Sequence, residues 1–255
     1  MRTLLAAAFV FVLGVTSGAA RAIAADPNAL WTIVHDHCVP NQQQNAKPDP
    51  CALVDLDTTP DKGFVVLKDL EGTTQYLLIP TDRITGIESP RLLEPDVPNY
   101  FADAWKERGF TEAAAHRKLR REDLSLTVNS THARSQEQLH IHIDCTRIAV
   151  RDAVGRRLGA IGDDWAPFAE KLLGHDYQAM RVVADDLAGI DPFRLLADRV
   201  PGARAAMGEQ TIGVLGAVFD GRPGFVILTT HTDPATGNRG GAEELQDHSC
   251  ALARS

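Results

Sequence analysis

From Gln138 to Asp144 the chain alternates polar and apolar residues without a break, Gln138-Leu139-His140-Ile141-His142-Ile143-Asp144. A period of two marks a strand, and it turns His140, His142 and Asp144 to one face while Leu139, Ile141, Ile143 and Cys145 pack behind them. Upstream, the apolar runs 64–69 and 75–80 on either side of Gly72 predict a hairpin that Pro80 ends. Pro98 and Asn99 precede Tyr100, Phe101, Ala104 and Trp105 at helical spacing, so a helix is expected there, with a second helical piece over 112–121. Residues 124–129 predict a strand, joined to the histidine strand by a loop through Arg134, with the polar face at the edge of the pair. Helices are expected over 165–173 and 191–198, and a second hairpin over 212–219 and 225–230, turned at Asp220-Gly221-Arg222-Pro223-Gly224. The short apolar piece 30–34 is ambiguous between helix and strand. These elements predict the α+β class, an antiparallel sheet with packed helices. No linker or low-complexity stretch divides residues 26–255, which read as one domain.

The N-terminus has a different pattern. Arg2 precedes an apolar run over 4–20 and the small-residue pattern Ala22-Ile23-Ala24, so residues 1–25 read as an export signal. The run is also about as long as the shortest membrane-spanning helices, which keeps an uncleaved anchor as the alternative. Both readings place the body outside the cytoplasm, in the periplasm of a bacterium.

In an oxidising compartment the four cysteines are candidates for disulfides, and no C-x-x-C pair favours zinc. Cys38 and Cys51 flank a polar, proline-containing loop, so a local bridge is the economical choice and Cys145 would then pair with Cys250. The formal net charge is −8, and it falls to −10 without Arg2 and Arg21. That acidity argues against nucleic acid as a partner, because phosphate-backbone binding needs a basic surface.

Two imidazoles and a carboxylate on one strand face can bind a metal, attack phosphorus or donate protons. His35 and His37 form a second H-x-H pair, but beside Cys38 and a loop they are expected to pack or meet solvent.

The succession of hairpin, Ile79-Pro80-Thr81-Asp82-Arg83-Ile84, helix, strand ending in Val128-Asn129, loop, Gln136 and His140-Ile141-His142-Ile143 resembles the histidine triad superfamily of nucleotide hydrolases and transferases. With the export segment, Gln-Leu-His-Ile-His-Ile-Asp-Cys and the long C-terminal extension, the chain more closely resembles the CDP-diacylglycerol pyrophosphatases. The resemblance implies a HIT-like sheet, and the two hairpins hint that the extension forms a second, pseudo-duplicated half. It also implies that His142 attacks the α-phosphorus, that His140 orients it, and that Asn129 and Gln136 hold ribose or phosphate. Two positions depart from the superfamily pattern. Asp144 stands where the third histidine is expected, and Arg83 stands where a histidine often follows the Ile-Pro turn. Arg83 could hold phosphate or form a structural ion pair.

A carboxylate cannot supply a proton as an imidazole does unless it is itself protonated, so the leaving group needs another donor. His248 lies two residues before Cys250 and would come near the histidine strand if Cys145 and Cys250 are joined. The implied substrate is CDP-diacylglycerol, presented at a membrane surface. Histidine attack needs no metal cofactor, although a divalent cation could screen the diphosphate. Two other functions fit the same residues. One is the same chemistry on soluble nucleotides, and the other is a non-catalytic periplasmic protein binding metal through His140, His142 and Asp144.

Overall fold

In this computed structural model the described residues are 26–56 and 59–254, so the predicted export segment 1–25 lies outside them. Among the described residues nine strands form one sheet, and every strand pair is antiparallel. The ambiguous piece 30–34 is helical: α1 (Ala29–Thr32) continues through a π-helical turn (Ile33–Cys38) into α2 (Val39–Asn45). Next come β1 (Leu53–Asp55) and the expected hairpin, β2 (Phe64–Lys68) with β3 (Tyr76–Pro80). Helix α3 (Tyr100–Lys106) starts where predicted, with the Asn99 side chain accepting from Ala102 N–H as its cap.

The second helical piece is shorter than the sequence implies and begins earlier, as α4 (Gly109–Ala114). His116 takes φ 52° just beyond it, and the buried Glu112 carboxylate accepts from Leu119 N–H and Lys118. These contacts turn the chain back instead of letting the helix run to residue 121. The chain then enters β4 (Leu124–Val128) and β5 (Ile141–Cys145).

The histidine strand is not at an edge. It lies between β3 and β4, with His142 opposite Leu77 on one side and Thr127 on the other. The polar residues of a central strand look at first like an edge, but here they face a polar trench within the fold.

Helix α5 (Ile148–Arg157) follows. The helix expected over 165–173 is absent: Ala166–Pro167 form β6 against β7 (Gln178–Val182), and a turn joins Leu172 to His175. Pro167 lacks the N–H a helix interior needs and disfavours the helical region for the residue before it. Helix α6 (Pro192–Arg199) forms as expected, capped by Asp191. The last hairpin is β8 (Ile212–Phe219) and β9 (Arg222–Thr229), and the sheet order is β1-β2-β3-β5-β4-β8-β9-β7-β6. Its turn is tighter than predicted, because Asp220 and Gly221 both take positive φ and Pro223 is paired in the strand. Pro223 lies beyond the end of β7, which begins pairing at Phe225, so no ladder partner there demands its missing N–H.

One face of the sheet packs on α3 and α6, with Leu78, Leu126, Ile141, Ile143 and Ile227 against Phe101, Trp105 and Phe193. The other face has two separate apolar covers. The N-terminal helices place Leu30 and Val34 over Val65, Leu77 and Ile79, and α5 places Val150 and Val154 near Leu215 and Val226. Between these covers the sheet presents Ser125, Thr127, His142 and Asp144, all buried. The C-terminal segment roofs this polar strip. Among the described residues, no helix is long and apolar enough to cross a membrane.

Candidate active site

Strand alternation puts His142 and Asp144 on the face of the polar strip, and His140 continues that face just before β5 begins. The three keep 4%, 0% and 9% of their surface, so their polar atoms need partners within the protein. His140 Nδ1 donates to the Gln138 carbonyl at 2.7 Å, which leaves the lone pair of the neutral ring on Nε2. The His140 and His142 rings meet edge to face, with centroids 4.9 Å apart.

Asp144 does not turn to either of these histidines. Its Oδ1 accepts from the Thr74 hydroxyl at 2.7 Å and from Cys145 N–H at 2.8 Å. Its Oδ2 accepts from His248 Nδ1 at 2.9 Å. The carboxylate that interrupts the histidine pattern therefore holds another histidine, supplied from about a hundred residues further along the chain. Both disulfides expected from the sequence are formed, Cys38 with Cys51 and Cys145 with Cys250. The second anchors the segment carrying His248, as do backbone bonds from Asp247 to Cys145 and from Arg147 to Leu245. Gly72 lets the β2–β3 turn close on this histidine. A Cβ there would lie 2.5 Å from His248 Cβ, and the residue takes φ 68°.

The residue that the sequence reading missed is Glu243. Its Oε1 lies 3.5 Å from His142 Nδ1 and 3.5 Å from His248 Nε2. It accepts from Gln75 Nε2 at 3.0 Å through Oε1 and from Asn129 Nδ2 at 3.1 Å through Oε2. Asn129 Oδ1 accepts in turn from Glu243 N–H. Asn129 thus belongs to the site as the holder of this carboxylate. Only the tertiary fold brings Glu243 there: Gln246 bonds the Thr127 hydroxyl and the Ser125 and His142 carbonyls, fixing the C-terminal segment over β4 and β5.

Gln75 Nε2 is also 2.5 Å from His142 Nδ1. In that orientation Nδ1 accepts, and Gln75 Oε1 and His142 Nε2 are both buried without a partner. For Nε2 to bear the lone pair, the ring proton must sit on Nδ1, facing either Glu243 or a turned Gln75 amide.

Electrostatics separates the imidazoles. Burial pushes His140 down, and burial pushes His142 down to about 3 against the pull of Glu243, so both are neutral near pH 7. His248 is raised, first by its hydrogen bond to Asp144 and further by the charges of Asp144 and Glu243. Burial disfavours charge on Glu243, yet the hydrogen bonds from Gln75 and Asn129 and the nearby His248 hold its carboxyl below the usual range. His248 and Glu243 keep 31% and 28% of their side chains exposed, so the site opens on their side. The arrangement offers neutral imidazole nucleophiles, an imidazole whose protonated, proton-donating form is favoured, and carboxylates that position them.

Gln136 and Arg83 do not join this network. Gln136 accepts from Leu30 N–H and donates to the Asp26 carbonyl, while Arg83 donates to Asn28 and stacks over Trp31. Both fasten the N-terminal helices. Trp31 also stacks on His35. Among the described residues, no group of three or more His, Cys, Asp or Glu side chains is arranged to hold a metal. Two clefts of about 550 Å³ each, at α5–β8 and at β7–α6, contain none of the site histidines, so cleft volume does not locate the site.

The family model for CDP-diacylglycerol pyrophosphatase matches residues 25–254. A CDP-diacylglycerol pyrophosphatase of Yersinia pestis is 42% identical over 225 residues, an alignment covering 88% of this chain and 84% of that protein.

Proposed function

On the premise that the chain belongs to the CDP-diacylglycerol pyrophosphatase family and hydrolyses the pyrophosphate bond of CDP-diacylglycerol to CMP and phosphatidate, we propose that cleavage runs through a nucleotidyl-histidine on His142. The observation that carries this reading is the pairing of a neutral, buried His142, whose Nε2 has no partner, with a His248 whose protonated form is favoured by its hydrogen bond to Asp144. His142 Nε2 attacks the α-phosphorus, and the bond from that phosphorus to the bridging oxygen breaks. His248 gives its proton to the departing phosphatidate oxygen. Water then attacks the same phosphorus, the Nε2–phosphorus bond breaks, and the water proton returns to His248. The covalent intermediate divides one displacement between two anions into two easier steps.

The His-Ile-His strand within an antiparallel sheet supports a relationship to the histidine triad proteins. The hairpins β2–β3 and β8–β9, which flank the central pair β5–β4, support a pseudo-duplicated sheet. A periplasmic location accords with the two disulfides. In this reading the lipid tails stay in the bilayer while the headgroup reaches the aqueous site. A divalent cation is an optional screen for the diphosphate and takes no part in the attack.

One observation favours a second assignment of the nucleophile. His140 has its proton fixed on Nδ1 by the Gln138 carbonyl, so its Nε2 already carries the lone pair. Locating the adduct distinguishes the two histidines. The site of attack is tested by a single turnover in ¹⁸O-labelled water. The label should appear in CMP, and label in phosphatidate would show that water attacks the lipid phosphorus and overturn the mechanism.

A further inference from the structure

Glu243 lies between the two halves of the proposed reaction. Its Oε1 is equidistant, at 3.5 Å, from His142 Nδ1 and His248 Nε2. Gln75 and Asn129 hold its two oxygens in place, and Asn129 also binds its backbone N–H. The turn that carries it lies close against the sheet because β8 has Gly213 beneath. A Cβ at that position would come within 2.7 Å of Leu245 Cδ1, two residues from Glu243. Such construction is more than a surface glutamate needs.

We propose that Glu243 is a shared positioning residue, the acceptor that takes the Nδ1–H of His142 as Nε2 attacks and that orients the His248 proton until the leaving oxygen arrives. This rests on the nucleotidyl-histidine reading given above. Attack through Nε2 requires the His142 proton on Nδ1, so the Gln75 amide nitrogen, now 2.5 Å from Nδ1 and bonded to Glu243, must move aside as substrate binds and leave that proton to the carboxylate. Glu243 is the carboxylate within reach. As phosphorus bonds to Nε2 the ring gains positive charge, and a fixed anion beside Nδ1 stabilises that charge where it develops. The present 3.5 Å separations are longer than hydrogen bonds, as often holds for catalytic contacts before substrate tightens them.

The charged and titratable groups facing this carboxylate are His142 and His140 from the histidine strand and His248 from its own segment, with Asp144 beyond His248. Asp69 in the β2–β3 turn acts on both His140 and His248. Glu244 is directed elsewhere, to Tyr177 and His175, and adds no competing acceptor.

The test compares the parent with Glu243→Gln and Glu243→Asp in single turnovers of CDP-diacylglycerol in detergent micelles, quenched in alkali to preserve protein-bound nucleotide. Glu243→Gln should form the adduct about a hundredfold more slowly, with KM nearly unchanged and the alkaline limb of kcat moved to lower pH. Glu243→Asp should recover about tenfold of that loss, and thermal melting should show both variants folded. Parental rate and pH profile in Glu243→Gln would overturn the proposal, as would a loss confined to KM, which would make Glu243 a substrate-binding group. The ¹⁵N shifts of the histidine rings in the substrate-free protein give a readout independent of the intermediate. The titration midpoint of His248 should fall in Glu243→Gln, and an unmoved midpoint would overturn its half of the role. A parent that forms no adduct, with the His248 midpoint still shifted in the variant, would defeat the covalent reading while upholding the contact to His248.

Discussion

Replacing Asp144 with asparagine tests the proton donor directly. The side chain is fully buried, and asparagine has nearly its shape, so no cavity opens. Two of the three contacts survive: an amide oxygen can still accept from the Thr74 hydroxyl and the Cys145 N–H. The amide nitrogen then faces His248 Nδ1, which must accept instead of donate, and the ring is held neutral. The loss is one hydrogen bond to a charged group, worth about 1.5–3 kcal/mol, or roughly ten- to a hundredfold in the chemical step at about 1.4 kcal/mol per decade. The pH dependence carries the same signature. Asp144 raises His248, so the parent keeps its protonated donor up to that raised value and loses activity as pH climbs through it. In Asp144→Asn the decline should begin at lower pH. The assay is single-turnover CMP release across roughly pH 5 to 9, with micelle-binding measured separately. An Asp144→Asn protein with the parental rate and the parental alkaline limb would refute the donor assignment and leave Asp144 a buried structural carboxylate.

Three further outcomes are expected. Gly213→Val should push the 242–245 turn off the sheet through Leu245 and lower kcat by more than its change in melting temperature explains, whereas parental kcat would show that the turn tolerates displacement. Opening the Cys145–Cys250 bridge by paired serine substitution removes the constraint on a loop of 105 residues, about 4.7 kcal/mol in the chain-entropy account, and releases both His248 and Glu243. Activity should fall further than when Cys38 and Cys51 are replaced, and equal losses would contradict the anchoring role. Finally, the folded His142 ring takes up a proton only near 3 whereas the unfolded chain does so near 6.5, so stability is complete above pH 6.5 and declines as pH falls through that window. Urea midpoints should show a shallower decline in His142→Gln, and an unchanged slope would mean that the ring accepts its proton without cost.

The hairpins, α3, α6 and the Cys38–Cys51 bridge were legible because each rests on a local signal: alternation around Gly72, a capping Asn99 or Asp191, a loop flanked by the two cysteines; Cys145–Cys250 followed only as the remaining pair. The helix expected over 165–173 fails at Pro167, which lacks the N–H a helix interior needs and pairs instead in β6. His140, His142 and Asp144 announced themselves by alternation, but alternation shows which residues share a face and not what covers it. Burial beneath the C-terminal segment was therefore invisible, and so was the turning of Asp144 towards His248. Glu243 carries no local pattern at all. It lies in a polar C-terminal stretch, and only the disulfide, Gln246 and Gly213 together place it on the histidine strand. Gln136 and Arg83 illustrate the converse, since residues at suggestive offsets fasten the N-terminal helices instead.

The central claim is that a nucleotide becomes bonded to His142. It is tested most directly by mixing the protein with CDP-diacylglycerol for less than one turnover, quenching in alkali and mapping the modified peptide by fragmentation mass spectrometry. A cytidylyl group on His142, formed and lost at rates that sustain turnover and absent in a folded but inactive His142→Ala protein, is the predicted result. A competent adduct on His140, or CMP release with no adduct on either histidine at any time, would contradict it.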